Sequence, residues 1–408
     1  MDFGFDHAID RKGTTSVKWF RPALESICGN PDAEAFWVAD MDFPAEPHIK
    51  EAALKVAESG VFGYPAFTGL EETFVDWMER KHHVEVNKDD VVYGEGLLHA
   101  LSLALQTFTK KHDRILVPSP TYRPFRMMCQ DNDREMVDWP IPYENGIYTF
   151  DKVSFREAAK DCDAIMFCSP HNPSGLVFSK DELECVLKTA KELGIPVFSD
   201  EIHGDLVHPG AKHIPMYEAN RKIGARAITF MAPSKTFNVA GEHSCFTLFS
   251  DVEMREEFKK AQKALHVVHP AYMIGTLAEA AYKYGLEYNE ELCAYLKGNA
   301  DMIREYLEKY IPELKLVNGK ASFVTFIDCS EIYEKVKKIT EGNPEKYKGG
   351  PDSGPLSLFF GVDAGVCFNN GRWFGDQYDN FVRINYGTSR ENVRKALESM
   401  RKAVEAIR

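Results

Sequence analysis

One pattern constrains this chain more than any other, and it recurs three times between residues 164 and 241. A short apolar, β-rich run breaks off into a polar loop: Ala164–Cys168 before Ser169–Gly175, Ile195–Phe198 before Ser199–His203, and Ala227–Met231 before Pro233–Gly241. Runs this short and this apolar read as strands buried on both faces. The spacing predicts helices over roughly 180–192 and 253–263. Val91–Tyr93 and Ile115–Val117 add two more short strands, the first leading through Gly94-Glu-Gly96 into an apolar helix from Leu97 to about Thr107. Strands alternating with helices in this way imply a mostly parallel, doubly wound α/β sheet. Cys245–Phe249 follows Lys235 too closely for a helical crossover, so it is expected to run antiparallel.

A chain of 408 residues is too long for one simple core. It divides into an N-terminal arm with part of a small domain (1–47), a large ligand-binding domain (48–288) and a smaller α+β domain (289–408). The first 30 residues read as a polar, irregular arm, followed by a strand at Ala35–Ala39 and a helix over 46–58. A second helix spans about Leu70 to Lys81, with His82 and His83 as its solvated end. A helical zone from Ala271 to Tyr310 bridges the domains. Beyond Pro312 the pattern turns to strands at 315–317, 323–327, 362–368 and 381–385, then a last helix over 390–407. Asn343 to Gly354 reads as a mobile loop.

Net charge is −13 with a pI near 5.5, which disfavours phosphate backbones and excludes nucleic acid as the expected partner. No run approaches the length of a membrane span, and the acidic N-terminal residues do not resemble a secretory leader. Nine cysteines scattered without a Cys-x-x-Cys pair point to reduced thiols and a cytoplasmic protein.

Asn172, Asp200 and Lys235 each stand just past a buried strand, on the edge where open α/β sheets bind ligands. An amine, a carboxylate and an amide on one edge are the parts a pyridoxal phosphate site needs. The amine forms a Schiff base, the carboxylate holds the proton on the pyridine nitrogen, and the amide bonds the ring oxygen. Lys235 sits among Ser, Thr and Phe, where desolvation leaves part of the amine neutral and nucleophilic. An acid directly after an apolar strand, as at Asp200, needs a partner, although helix capping would also explain it. Gly94-Glu-Gly96 ahead of a helix has the shape of an anion site. Tyr122 offers a face for stacking. Arg383, in the apolar strand Phe381–Asn385, calls for a carboxylate of substrate or of protein. His203, His208 and His213 are spaced by five, which suits no shared metal, and none is expected.

These motifs resemble those of the fold-type I pyridoxal phosphate enzymes of the class I and II aminotransferases, along essentially the whole chain. More narrowly they resemble the MalY/PatB branch of cystathionine β-lyases and related carbon–sulfur lyases, through Phe5-Asp6 with Arg11, Ser16–Trp19, Trp37–Phe43 and Asp200-Glu-Ile-His203. The resemblance implies a seven-stranded sheet in the large domain. It implies that Lys235 binds the cofactor covalently, with Asp200 on the ring nitrogen, Asn172 and His203 by the ring oxygen, and Tyr122 stacked. Gly96, Leu97 and Ser234 would hold the phosphate, joined by Tyr64 from a partner subunit, so a homodimer with shared sites is implied. Arg383, with Asn172 and Ala39, would bind the substrate. Lys235, Tyr122 and Asp200 would carry the chemistry of a lyase that turns cystathionine or cysteine into pyruvate, ammonia and a thiol. One place departs from many family aminotransferases: His243 stands where they have a phosphate-binding arginine. The alternatives are an aminotransferase using the same residues, and a regulatory protein that binds the cofactor without turnover.

Overall fold

The structure is a computed structural model that describes residues 3–267 and 269–408. Its centre is a seven-stranded sheet of β1 (Val91–Gly94), β2 (Arg114–Ser119), β3 (Glu135–Pro140), β4 (Ala164–Cys168), β5 (Val197–Asp200), β6 (Ala227–Met231) and β7 (Cys245–Phe249). The spatial order is β1-β7-β6-β5-β4-β2-β3. From β6 to β3 every neighbour is parallel, and β7 is antiparallel to both β6 and β1, as its short link to Lys235 requires. Every residue of β4, β5, β6 and β7 is buried, which is why these strands read as continuous apolar runs. β3 lies at the edge, mixes polar with apolar residues and buries only Trp139, so its sequence carried no such signal.

Helices cover both faces. The first 30 residues are not irregular throughout: Arg21–Cys28 forms α1, with Pro22 in its first turn and Leu24, Ile27 and Cys28 facing inward. α2 (Pro47–Ser59) and α3 (Leu70–Trp77) follow, and α3 ends in a wider turn, Met78–His82. That turn corrects the reading of His82 as solvated. Its ring is buried, with Nε2 2.7 Å from Asp205 Oδ1, while His83 faces solvent. α4 (Leu97–Phe108), α5 (Arg123–Asp131) and α6 (Lys180–Leu193) flank the sheet. The helical zone beyond 271 is two helices, α7 (Tyr272–Tyr284) and α8 (Leu286–Tyr310). They part at Gly285, where a Cβ would stand 2.1 Å from a ring carbon of Phe237.

The C-terminal residues build a four-stranded sheet, β8 (Lys315–Leu316), β9 (Val324–Asp328), β10 (Asn369–Asn370) and β11 (Phe381–Asn385), in the order β8-β9-β11-β10. α9 (Ser330–Gly342) and α10 (Arg390–Glu405) pack with it. The run 362–368 is not one strand: Phe360–Ala364 is a helical turn, and Val366–Cys367 pairs in parallel with Glu34–Ala35. That pairing brings the residues before Asp40 against the C-terminal sheet. The segment 343–354 is tied down, with Gly350 N–H donating to Ser26 O and Trp373 Nε1 to Asp352 O.

Candidate active site

Parallel register delivers the three loops to one place. Cys168 lies opposite Asp200, and Asp200 opposite Phe230, so β4, β5 and β6 end level at their carboxyl edge. A cavity of about 230 Å³ opens there. Every residue expected from the sequence in the cofactor and substrate sites lines it, except Arg383 and Tyr64. Cys168, Ile202, Ala240 and His243 line it as well. Of these, the sequence marked only His243.

The charged groups share one cause of perturbation, removal from water. Asp200 is 2% exposed, and burial pushes its carboxyl up to about 7, against a small opposing effect of the Ile202 N–H that donates to it at 3.0 Å. No cation bonds its side chain among the described residues. Lys235 Nζ donates to Ala39 O at 2.7 Å, and burial lowers its amine to about 8, with Asp40 opposing and Arg383 reinforcing the shift. His203 is pushed down to about 3 by burial and by the nearby Lys235 and Arg383 charges, so its ring is neutral, with Nδ1 3.1 Å from Ser322 Oγ. Burial raises the Tyr122 phenol, which therefore stays protonated.

Arg383 lies beside the cavity and lacks an anion. It donates to Trp37 O at 2.8 Å, Asn369 Oδ1 at 2.7 Å and Asn172 Oδ1 at 3.4 Å, and its guanidinium lies over the Phe374 ring. Its buried Nε has no partner, and burial lowers its pKa to about 10. Neutral carbonyls hold the fork in place, and a carboxylate is the partner still missing.

Stretches marked separately in the sequence meet above Lys235. Arg11 donates to Asp40 at 3.0 Å and to Asp42 at 2.8 Å, and the buried Lys18 amine donates to both Asp42 oxygens at 2.9 Å. Asn238, three residues after Lys235, bonds the backbone of Met41 and Phe43. Asn385 N–H groups reach Val38 O and Asp40 O. The Ala39 carbonyl that accepts from Lys235 is thus fixed from three sides.

Two buried carboxylates behind the cavity were not marked by the sequence. Asp205 accepts from Trp77 Nε1, Thr236 Oγ1 and the His82 ring, and Glu201 bonds Ser199, Met216 N–H and the His213 ring. The partners of Asp205 are distant in the chain, 123 residues in the case of His82, so no local pattern could announce them; those of Glu201 are nearer, within 15 residues. His208 turns away, to Ser322 O.

The donor set fits a pyridoxal phosphate. Asp200 needs a buried cation, which a protonated ring nitrogen would supply, and Asn172 and the neutral His203 could bond the ring oxygen. At the far end the first N–H groups of α4 have no side-chain cap. Gly96, with φ +96, admits the His243 side chain at a distance where an added Cβ would lie 3.1 Å from it. Gly96, Leu97, Ser234 and His243 surround the place where a phosphate would sit. Tyr64 is not brought to the site by its own chain: it is fully exposed, on a loop with Val61 and Phe62 also exposed.

Residues 38–400 match the family described as Aminotransferase class I and II. Cystathionine beta-lyase PatB of Bacillus subtilis (strain 168) is 30% identical, over 98% of this chain and 99% of its own. Protein MalY of Escherichia coli (strain K12) is 26% identical over the full length of both. The crystal structure of cystalysin from Treponema denticola, which contains a pyridoxal 5'-phosphate cofactor, superposes with a TM-score of 0.88 at 27% identity, covering 100% of both chains.

Proposed function

The chain belongs to the class I and II aminotransferase family, and we propose that within it the protein is a pyridoxal-phosphate-dependent carbon–sulfur β-lyase. Its substrates are sulfur-bearing L-amino acids of the cystathionine and cysteine type, and its products pyruvate, ammonia and a thiol. The observation that carries the reading is the presence, in one cavity, of a buried carboxyl that no cation bonds among the described residues and a lysine amine lowered to about 8. The full-length match to PatB, MalY and cystalysin favours β-elimination over amino transfer.

The geometry supports the following roles. Arg383 takes the substrate α-carboxylate on its free Nε, helped by Asn172. Asp200 keeps a proton on the ring nitrogen, and Tyr122 stacks on the ring. When bound, pyridoxal phosphate accepts the electron pair released as the Cα–H bond breaks. Lys235 removes that proton: at a pKa of about 8, about a tenth of the amine is neutral at pH 7, against a negligible share at the ordinary value. The ammonium so formed can then return a proton to the departing sulfur. A thiolate of pKa about 8.5 draws a proton more readily from an ammonium near 8 than from a phenol held above its usual value, so Lys235 rather than Tyr122 protonates the leaving group.

Tyr64 extends the proposal to a homodimer. Exposed beside Val61 and Phe62, it reaches the phosphate of a partner subunit. Cross-linking or sedimentation that finds only monomers at working concentration, with full activity, contradicts this.

The test is a panel of L-cysteine, cystathionine, S-alkyl-cysteines and ordinary amino donors, scored for pyruvate and thiol. Keto acid that forms only with an added amino acceptor, and without thiol, would overturn the lyase in favour of an aminotransferase. A protein without the yellow absorbance of the bound cofactor would point to neither.

A further inference from the structure

Asp200 and Lys235 come from different segments, one at the end of β5 and the other in the turn after β6, and the chemistry of the cavity needs both at a fixed separation. Behind the cavity a buried hydrogen bond ties the two segments together. Thr236, the residue after Lys235, donates from Oγ1 to Asp205 Oδ2 at 2.9 Å, and Asp205 lies on the loop that follows Asp200. Both residues are closed off from solvent, Thr236 fully and Asp205 to within 2%.

Asp205 is itself braced from the far side. Its Oδ1 accepts from Trp77 Nε1 at 3.0 Å and lies 2.7 Å from His82 Nε2, and its carbonyl accepts from Asn289 Nδ2 at 3.0 Å. Trp77 and His82 come from the end of α3 and the turn beyond it, and Asn289 from α8. A carboxylate can serve both sides at once, with one oxygen for Trp77 and His82 and the other for Thr236. The turn Pro233–Thr236 that carries Lys235 has few other ties. Lys235 Nζ donates to Ala39 O, while the Phe237 ring against Trp77 and the Asn238 bonds to Met41 and Phe43 anchor the chain only beyond the turn. Among the described residues, Thr236 is thus the side chain that holds the lysine-bearing turn to the loop of Asp200.

We propose that Asp205 and Thr236 are positioning residues for Lys235, and that their hydrogen bond keeps its amine against Ala39 O and at its working distance from Asp200. Neither lines the cavity, so both act through Lys235 and not on the substrate. The effect on turnover rests on the lyase reading above; the effect on cofactor uptake needs only the cofactor.

The experiment compares the wild type with Thr236→Val, which keeps the shape and removes the hydroxyl, and with Thr236→Ser, which keeps the hydroxyl. In the Thr236→Val holoenzyme kcat for S-ethyl-L-cysteine should fall about tenfold with KM changed less than about twofold, because a misplaced base slows proton transfer and leaves binding intact. In the apo protein the rate of pyridoxal phosphate uptake should level off at a higher pH than in the wild type, where the amine lies at about 8. An amine released from Ala39 O turns into the open cavity, where burial lowers it less. Thr236→Ser should restore both. A Thr236→Val protein with wild-type kcat and an unmoved uptake profile overturns the proposal, whatever its melting temperature, and so does a Thr236→Ser protein as impaired as Thr236→Val. A wild-type holoenzyme that releases no thiol overturns the lyase reading alone, and the uptake profile then decides whether Asp205 and Thr236 position the lysine.

Discussion

Asp200 is placed to serve the cofactor at the expense of the empty fold, and that cost is measurable. Its carboxyl lies at about 7 in the folded chain, against 3.8 for the free side chain, because burial penalises its charge. A carboxyl with a raised folded pKa binds its proton more tightly in the native state, so stability falls as pH rises through the interval between the two values and is level above it. A shift of about 3 units at 1.36 kcal/mol each amounts to about 4 kcal/mol, lost between pH 4 and pH 7 in cofactor-free protein. Asp200→Asn keeps an oxygen for the Ile202 N–H and carries no charge. Urea unfolding of the two apo proteins should give nearly equal stabilities at pH 4.5. At pH 8 the variant should be more stable by several kcal/mol. Pyridoxal phosphate should then narrow or reverse the gap, since only the wild type offers an anion to the ring nitrogen. A variant no more stable than wild type at pH 8 would mean that Asp200 already has a cation in the empty protein, and the buried, unpaired carboxylate would have to be abandoned.

Other consequences can be checked separately. The rate at which apo protein takes up pyridoxal phosphate should rise with pH and level off above about 8, where Lys235 has lost its proton; a rise that continues towards 10 contradicts the lowered amine. Arg383→Ala should raise KM and cut kcat/KM about a hundredfold, with the cofactor spectrum retained, since it removes a buried fork meant for a carboxylate. His82→Ala should destabilise the fold by about 3 kcal/mol in urea, because it strips a buried partner from Asp205; a loss under about 1 kcal/mol would make that pair incidental.

The sequence disclosed most where burial leaves a one-dimensional trace. β4, β5, β6 and β7 are apolar from end to end because both faces are covered, and the residues that follow them are the ones gathered in the cavity. β3 went unseen because this edge strand buries only Trp139 and shows neither an apolar run nor a clean alternation. α9 went unseen because Ser330–Gly342 is mostly polar, with only Ile332, Val336 and Thr340 buried. His82 was misjudged for a related reason: it follows a charged turn, and its partner Asp205 is visible only in three dimensions. The segments around Arg11, Lys18 and Asp40 showed a resemblance without a physical role, which came only when the fold joined them over Lys235.

If Lys235 and Asp200 serve the cleavage of a carbon–sulfur bond, the products formed from L-cystathionine by the holoenzyme, with no amino acceptor present, have a fixed stoichiometry. Homocysteine, pyruvate and ammonia should appear in equal amounts, and none of them should form with Lys235→Ala. Keto acid that requires an acceptor and appears without homocysteine would contradict that assignment.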